Sequence, residues 1–90
     1  MKIISDDEGL HRFHFSGVGL IYNDYVQLGS YGYKHNALHA ASCFEISKMN
    51  LKHPKFYFED LDDARAWLNS NRGPEGVNWK RCGMCEAQLT

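Results

Sequence analysis

Two cysteines separated by two residues, Cys82-Gly83-Met84-Cys85, are the most specific chemical signal in the chain. That spacing can turn both sulfurs toward one ion, and Gly83 eases the tight loop between them. Zinc takes four ligands, so a second pair has to come from elsewhere. His39 and Cys43 stand four apart, which on a helix would place them one turn above the other on a single face. His35, four before His39, extends that face. A structural zinc held by His39, Cys43, Cys82 and Cys85 is therefore geometrically possible and would act as a staple for a domain with a small core, with the unligated reading weighted above it. Plainer readings of the same residues stay open. Cys43 fits a small core position, His35 and His39 fit solvated positions, and the cysteine pair fits unligated or redox thiols. A thioredoxin-like motif should open a helix directly after a strand, and no helical pattern follows Cys85.

Other constellations offer less chemistry. Asp6-Asp7-Glu8 and Glu59-Asp60 are adjacent carboxylates, but the first set suits a solvated terminus and the second a helix start. Five histidines, His11, His14, His35, His39 and His53, occur without a Ser/His/Asp or Cys/His order that would mark a nucleophile system. Gly17-Val18-Gly19 precedes a strand pattern rather than a helix, so it reads as a turn or bulge and not as a phosphate cradle. The chain is not expected to be an enzyme.

Tyrosines give a lead of another kind. Tyr22, Tyr25, Tyr31 and Tyr33 are interleaved with Asn23, Asp24 and Gln27 in one short region. Tyrosine is enriched in protein interfaces because it offers rigid area with a hydrogen-bonding tip. These seven residues form the expected protein-binding surface, with packing beneath the helices as the plainer alternative. An aromatic sheet face can also stack single-stranded bases. Only Arg12 and Lys34 flank this one, which makes nucleic acid the weaker partner.

The elements that must position these groups follow from periodicity. Residues 10–15 alternate, with Phe13 and Phe15 on one side and Arg12 and His14 on the other, the period of a half-buried strand. Apolar runs at 18–22 and 25–28 flank Asn23-Asp24 and read as a hairpin with a two-residue turn. In that register Tyr22 faces Tyr25 and Ile21 faces Val26. Asn36 is placed to cap a helix from Ala37 to near Met49, the alternative being a helix that stops by Cys43 before a strand through Phe44 and Ile46. Lys55-Phe56-Tyr57-Phe58 reads as a strand. Asp60 caps a second helix with Leu61, Ala64, Trp67 and Leu68 on one face, and Gly73-Pro74 stops it. Residues 77–89, with Trp79 and the cysteine pair, read as a strand or knuckle. The expected fold class is α+β, a mostly antiparallel sheet of about four to five strands with two helices packed on one face.

Bulk properties narrow the function classes. Ninety residues suit one compact domain, 1–90. The chain is 43% hydrophobic and 23% charged, with a formal charge of −1, so it is neither a disordered chain nor a generic polyanion binder. No apolar run reaches the length of a membrane span. An odd number of cysteines, three, suits a reducing compartment, and the cytoplasm is the expected location. These exclusions leave binding. The expectation is a small accessory protein of phage or mobile-element type that inhibits or modulates a host macromolecular machine, such as a defence system, by occluding a protein surface. A zinc-stabilised nucleic-acid-binding module is the alternative.

Overall fold

The computed structural model describes residues 1–25, 35–49 and 51–85. Along the chain run β1 (Lys2–Ile4), α1 (Asp7–Ser16), β2 (Leu20–Asn23), β3 (Ala37–Ala40), a 3-10 helix (Phe44–Lys48), β4 (Lys55–Phe58), α2 (Leu61–Asn71) and β5 (Lys80–Arg81). The strands form one sheet in the order β1-β4-β2-β3-β5. All pairings are antiparallel except β3 with β5. The fold is a small α+β arrangement with two α-helices and a mostly antiparallel five-stranded sheet.

Residues 10–15 are helical, not a strand. Asp6 accepts a hydrogen bond from the Gly9 N–H at 2.6 Å, Asp7 and Glu8 occupy the first turn, and Gly17 closes the helix in the left-handed region at φ 67. The three acids are thus a helix start, where cap and dipole favour them. Leu10 and Phe13, three apart, face inward at helical spacing, while Phe15 is 94% exposed.

The 18–28 hairpin also gives way. Both edges of β2 are occupied across Leu20–Asn23: Ile21 lies opposite His39 of β3 and Tyr57 of β4. The partner strand expected for β2 at 25–28 lies, beyond Tyr25, outside the described residues, and the strands that pair with β2 are β3 and β4. The chain enters β2 through Gly19, whose backbone has φ 90. A Cβ there would run into the Tyr57 hydroxyl and the Phe58 carbonyl, so glycine is required for this close approach. The Gly19 carbonyl accepts the Ala41 N–H at 2.9 Å, which ties the start of β2 to the turn after β3.

Asn36 caps no helix, and Ala37–Ala40 is a strand. The Asn36 carboxamide accepts the Tyr25 N–H at 2.8 Å and donates to the Asn78 carbonyl at 3.1 Å. It therefore pins three chain segments in a wholly buried position. The helical form between 37 and 49 is confined to the 3-10 turn. β4 and α2 follow the sequence pattern, with the Asp60 carboxylate accepting the Asp63 N–H at 2.8 Å.

Alternation along β4 separates the helices. Tyr57 stacks on Phe13 of α1 with ring centroids 4.0 Å apart, whereas Phe56 and Phe58 meet Trp67 of α2 at 5.4 and 5.8 Å. Successive strand residues point to opposite faces, so α1 and α2 cover opposite faces of the sheet rather than one. The core is continuous through the sheet, from Leu10 and Ile46 on the α1 side to Ala64 and Leu68 on the α2 side.

Candidate metal centre

His39 lies in β3 directly opposite Ile21, on the same side as Tyr57 and therefore on the face that carries α1. Past the end of β3 the chain turns sharply, with the Cys43 N–H donating to the Ala40 carbonyl at 2.9 Å. That turn returns Cys43 beside His39. The 3-10 helix starts at once, and the Glu45 N–H donates to the Cys43 sulfur.

The second half of the site comes from β5. Trp79 is completely buried, and its indole N–H donates to the Gly73 carbonyl at 3.0 Å and the Asn69 side chain at 3.2 Å. This anchor delivers the chain to the free edge of β3. Lys80 N–H then donates to the Asn36 carbonyl at 2.9 Å and Cys82 N–H to the Leu38 carbonyl at 2.8 Å. In this parallel register Cys82 follows Arg81, the partner of Leu38, so it lies alongside His39. A turn through Gly83 and Met84 brings Cys85 back to the same edge, where its sulfur accepts the Ala40 N–H at 3.4 Å. The strand ladder ends there, and a sulfur replaces the missing carbonyl acceptor.

The four residues are buried, and one ligand atom from each lies within 4.8 Å of all the others. The Cys43 and Cys82 sulfurs are 4.0 Å apart. His39 Nδ1 is buried and has no hydrogen-bond partner among the described residues. Buried polar atoms are nearly always satisfied, so the imidazole carries an unmet hydrogen-bonding need beside the three sulfurs. The cluster can hold a metal ion.

Its electrostatics suit such a role. Burial pushes the His39 imidazole down to about 4, with Glu45 opposing and Lys55 and Lys80 reinforcing the shift. The ring is neutral at physiological pH, as a ligand must be. Burial raises Cys43 and carries Cys85 up to about 12, offset in part by the N–H groups of Glu45 and Ala40 respectively. Without an ion these thiols keep their protons. A cation would displace them, so binding is coupled to proton release.

One flank of the cluster is open. A groove of about 390 Å³ is lined by Ala37, His39, Glu45, Lys80, Cys82 and Met84. The sequence pointed to the four cluster residues but not to Lys80 and Glu45, which carry no motif; Lys80 reaches the groove through the β3–β5 register and Glu45 through the 3-10 helix. His35, placed with the cluster in the helical reading, is exposed and instead packs its ring 4.6 Å from that of Tyr25.

Of the residues expected to form a binding surface, Tyr22, Asn23, Asp24 and Tyr25 are described. Tyr22 is fully buried, its ring 6.3 Å from that of Phe56. Asp24 is buried and paired with Arg72, which follows α2 and donates to both carboxylate oxygens at 3.1 and 2.8 Å. Asn23 donates to the His35 carbonyl at 3.0 Å. Tyr25 is half-buried between the rings of His35 and His53. Gln27, Tyr31 and Tyr33 lie outside the described residues. The burial of Tyr22 and Asp24 followed from β2 being central in the sheet, which no local pattern disclosed. No helix among the described residues is long and apolar enough to cross a membrane.

No family model, curated protein or solved structure matches this chain.

Proposed function

We propose that this protein is a zinc-stapled binding module, in which His39, Cys43, Cys82 and Cys85 hold one structural zinc and the fold serves to present a surface to another macromolecule. The observation that carries the reading is the convergence of three buried sulfurs and one His39 ring nitrogen within 4.8 Å. Three thiolates and an imidazole are a typical closed tetrahedral set for zinc, whereas a catalytic zinc keeps a position for water or substrate. Thiolate-rich tetrahedral sites favour zinc over magnesium or calcium, which seek oxygen. With all four positions filled by the chain, the ion acts on the fold.

A protein partner is favoured over nucleic acid. Arg72 is spent on Asp24, and Arg65 and Arg81 both lie on Glu75 at 3.5 and 2.7 Å. Charges neutralised within the chain contribute little to phosphate binding. The narrower reading, an accessory protein that blocks a host machine, needs a docking face other than Tyr22 and Asp24, since both are internal.

Elemental analysis of the purified protein tests the centre. One zinc per chain is expected, together with a loss of thermal stability on chelation. Less than a few tenths of an equivalent, with melting unmoved by a strong chelator, would overturn it. Binding to a labelled oligonucleotide with a steep salt dependence would shift the partner class to nucleic acid.

A further inference from the structure

We propose that the centre is a peroxide-responsive switch, in which oxidation joins Cys82 to Cys43 across their 4.0 Å gap and expels the metal. The proposal rests on the zinc reading above and concerns how that same site is regulated.

Two features single out this pair. Cys82 is the cysteine that lines the groove, together with His39, Lys80 and Glu45, which makes it, though buried, the sulfur on the side from which a small oxidant would approach. Cys85 does not line the groove; its sulfur accepts the Ala40 N–H and hydrogen-bonds Cys43. Cys43 is buried and already faces Cys82. A covalent bond requires the two sulfurs to close by about 2 Å, which the turn that carries Cys82 can supply once the metal no longer spaces them.

The chemistry balances with hydrogen peroxide as the oxidant. Cys82 thiolate attacks one peroxide oxygen, forming sulfenic acid and releasing hydroxide. Cys43 thiolate then attacks the Cys82 sulfur, forming the disulfide and releasing a second hydroxide. The sulfurs together lose two electrons, and the peroxide becomes two waters after taking two protons from solvent. Lys80, beside the groove, places positive charge where the hydroxide leaves. The metal is left with His39 and Cys85 alone, half of a closed set, and departs.

The outcome differs from simple metal loss. A covalent link between the turn after β3 and the end of β5 takes over the clamp at the point where the metal held it. The Cys85 turn is set free at the same moment, so the surface around Gly83 and Met84 changes while the sheet is retained.

The test uses the full-length, zinc-loaded protein, treated with a modest excess of hydrogen peroxide at neutral pH beside a chromogenic zinc chelator, followed by non-reducing peptide mapping. The expected result is release of one zinc per chain in step with a Cys43–Cys82 disulfide, reversed by dithiothreitol and added zinc. Retention of the metal overturns the switch, as does a Cys82–Cys85 link or Cys82 sulfinic acid without a disulfide. Protein that contains no zinc at the outset overturns the zinc reading and the switch together. Zinc that stays bound under peroxide overturns the switch alone.

Discussion

Two regions of the sheet bury polar groups, and they do so in opposite ways. Beyond the end of β2, the Asp24 carboxylate receives two donors from Arg72, whose guanidinium lies 5.1 Å over the Trp67 ring and 5.7 Å over Phe56. The arginine is held charged chiefly by its hydrogen bonds to Asp24. Here the chain supplies both halves of each interaction. At the β3–β5 edge, three thiols and a neutral imidazole face one another, and none has a charge to offer the rest. Donor-poor atoms gathered in a dry site are poor company for each other and good company for a cation. The contrast teaches that a buried polar group is informative when its own chain fails to satisfy it.

This comparison can be broken in four ways. Chelation, or Cys82→Ser, should have the largest effect, because structural zinc contributes on the order of 10 kcal/mol to the folded state. A fall in melting temperature of at least about 20 °C is expected by calorimetry. Asp24→Ala should leave the chelator sensitivity intact, and a variant at Asp24 that lost it would merge the two regions.

Acid should come next. The folded pKa of His39 lies near 4 against an ordinary 6.5, so the unfolded chain binds the proton first and stability falls as pH drops through that window. With the metal removed and the fold supported by an excluded osmolyte, the loss should total about 3 kcal/mol between those limits. Urea titrations of the wild type and His39→Gln would show the slope vanish in the variant. An unchanged slope would place the titration elsewhere.

Breaking the ion pair should cost somewhat less. Arg72 keeps some access to water, so stranding it in Asp24→Ala is expected to cost about 2 kcal/mol by urea unfolding, less than for a fully buried pair. The smallest effect should carry the opposite sign. The Tyr22 hydroxyl is buried without a hydrogen-bond partner among the described residues, and burial, with Asp24 nearby, raises its pKa. Removing an unsatisfied hydroxyl spares its desolvation cost, so Tyr22→Phe should be neutral or stabilising by up to about 1 kcal/mol. A marked loss would mean that the hydroxyl has a partner after all.

The four residues that come together as a possible metal site were legible in the sequence even though the element assigned to carry two of them was wrong. His39 and Cys43 converge from a strand end and its turn, not from a helix face. A spacing of four permits either route, and ligand chemistry does not distinguish them. α2 was legible because cap, acids, apolar face and stop all agree. α1 was not, because residues 10–15 satisfy two periods at once. Phe13 and Phe15 alternate, while Leu10 and Phe13 keep helical spacing, and the deciding signals were Asp6 before the segment and Gly17 after it. The centrality of β2 was invisible for a different reason. Both of its partners, β3 and β4, are distant in sequence, and pairing of that kind is set by the whole core rather than by the strand.

The parallel pairing of β3 with the two-residue β5 has a kinetic meaning. Antiparallel pairing can assemble β2, β3 and β4, and the turn after β3 alone brings Cys43 beside His39 as a bidentate half-site before the C-terminal cysteines arrive. Joining Cys82 and Cys85 to it closes a loop across the whole of β4 and α2, a slow step for so short a strand. Metal capture should therefore run in two phases, a fast encounter with His39 and Cys43 and a slower one limited by the search of the C-terminal arm. An ion held there would serve as a timer, locking the sheet only after every other element is in place.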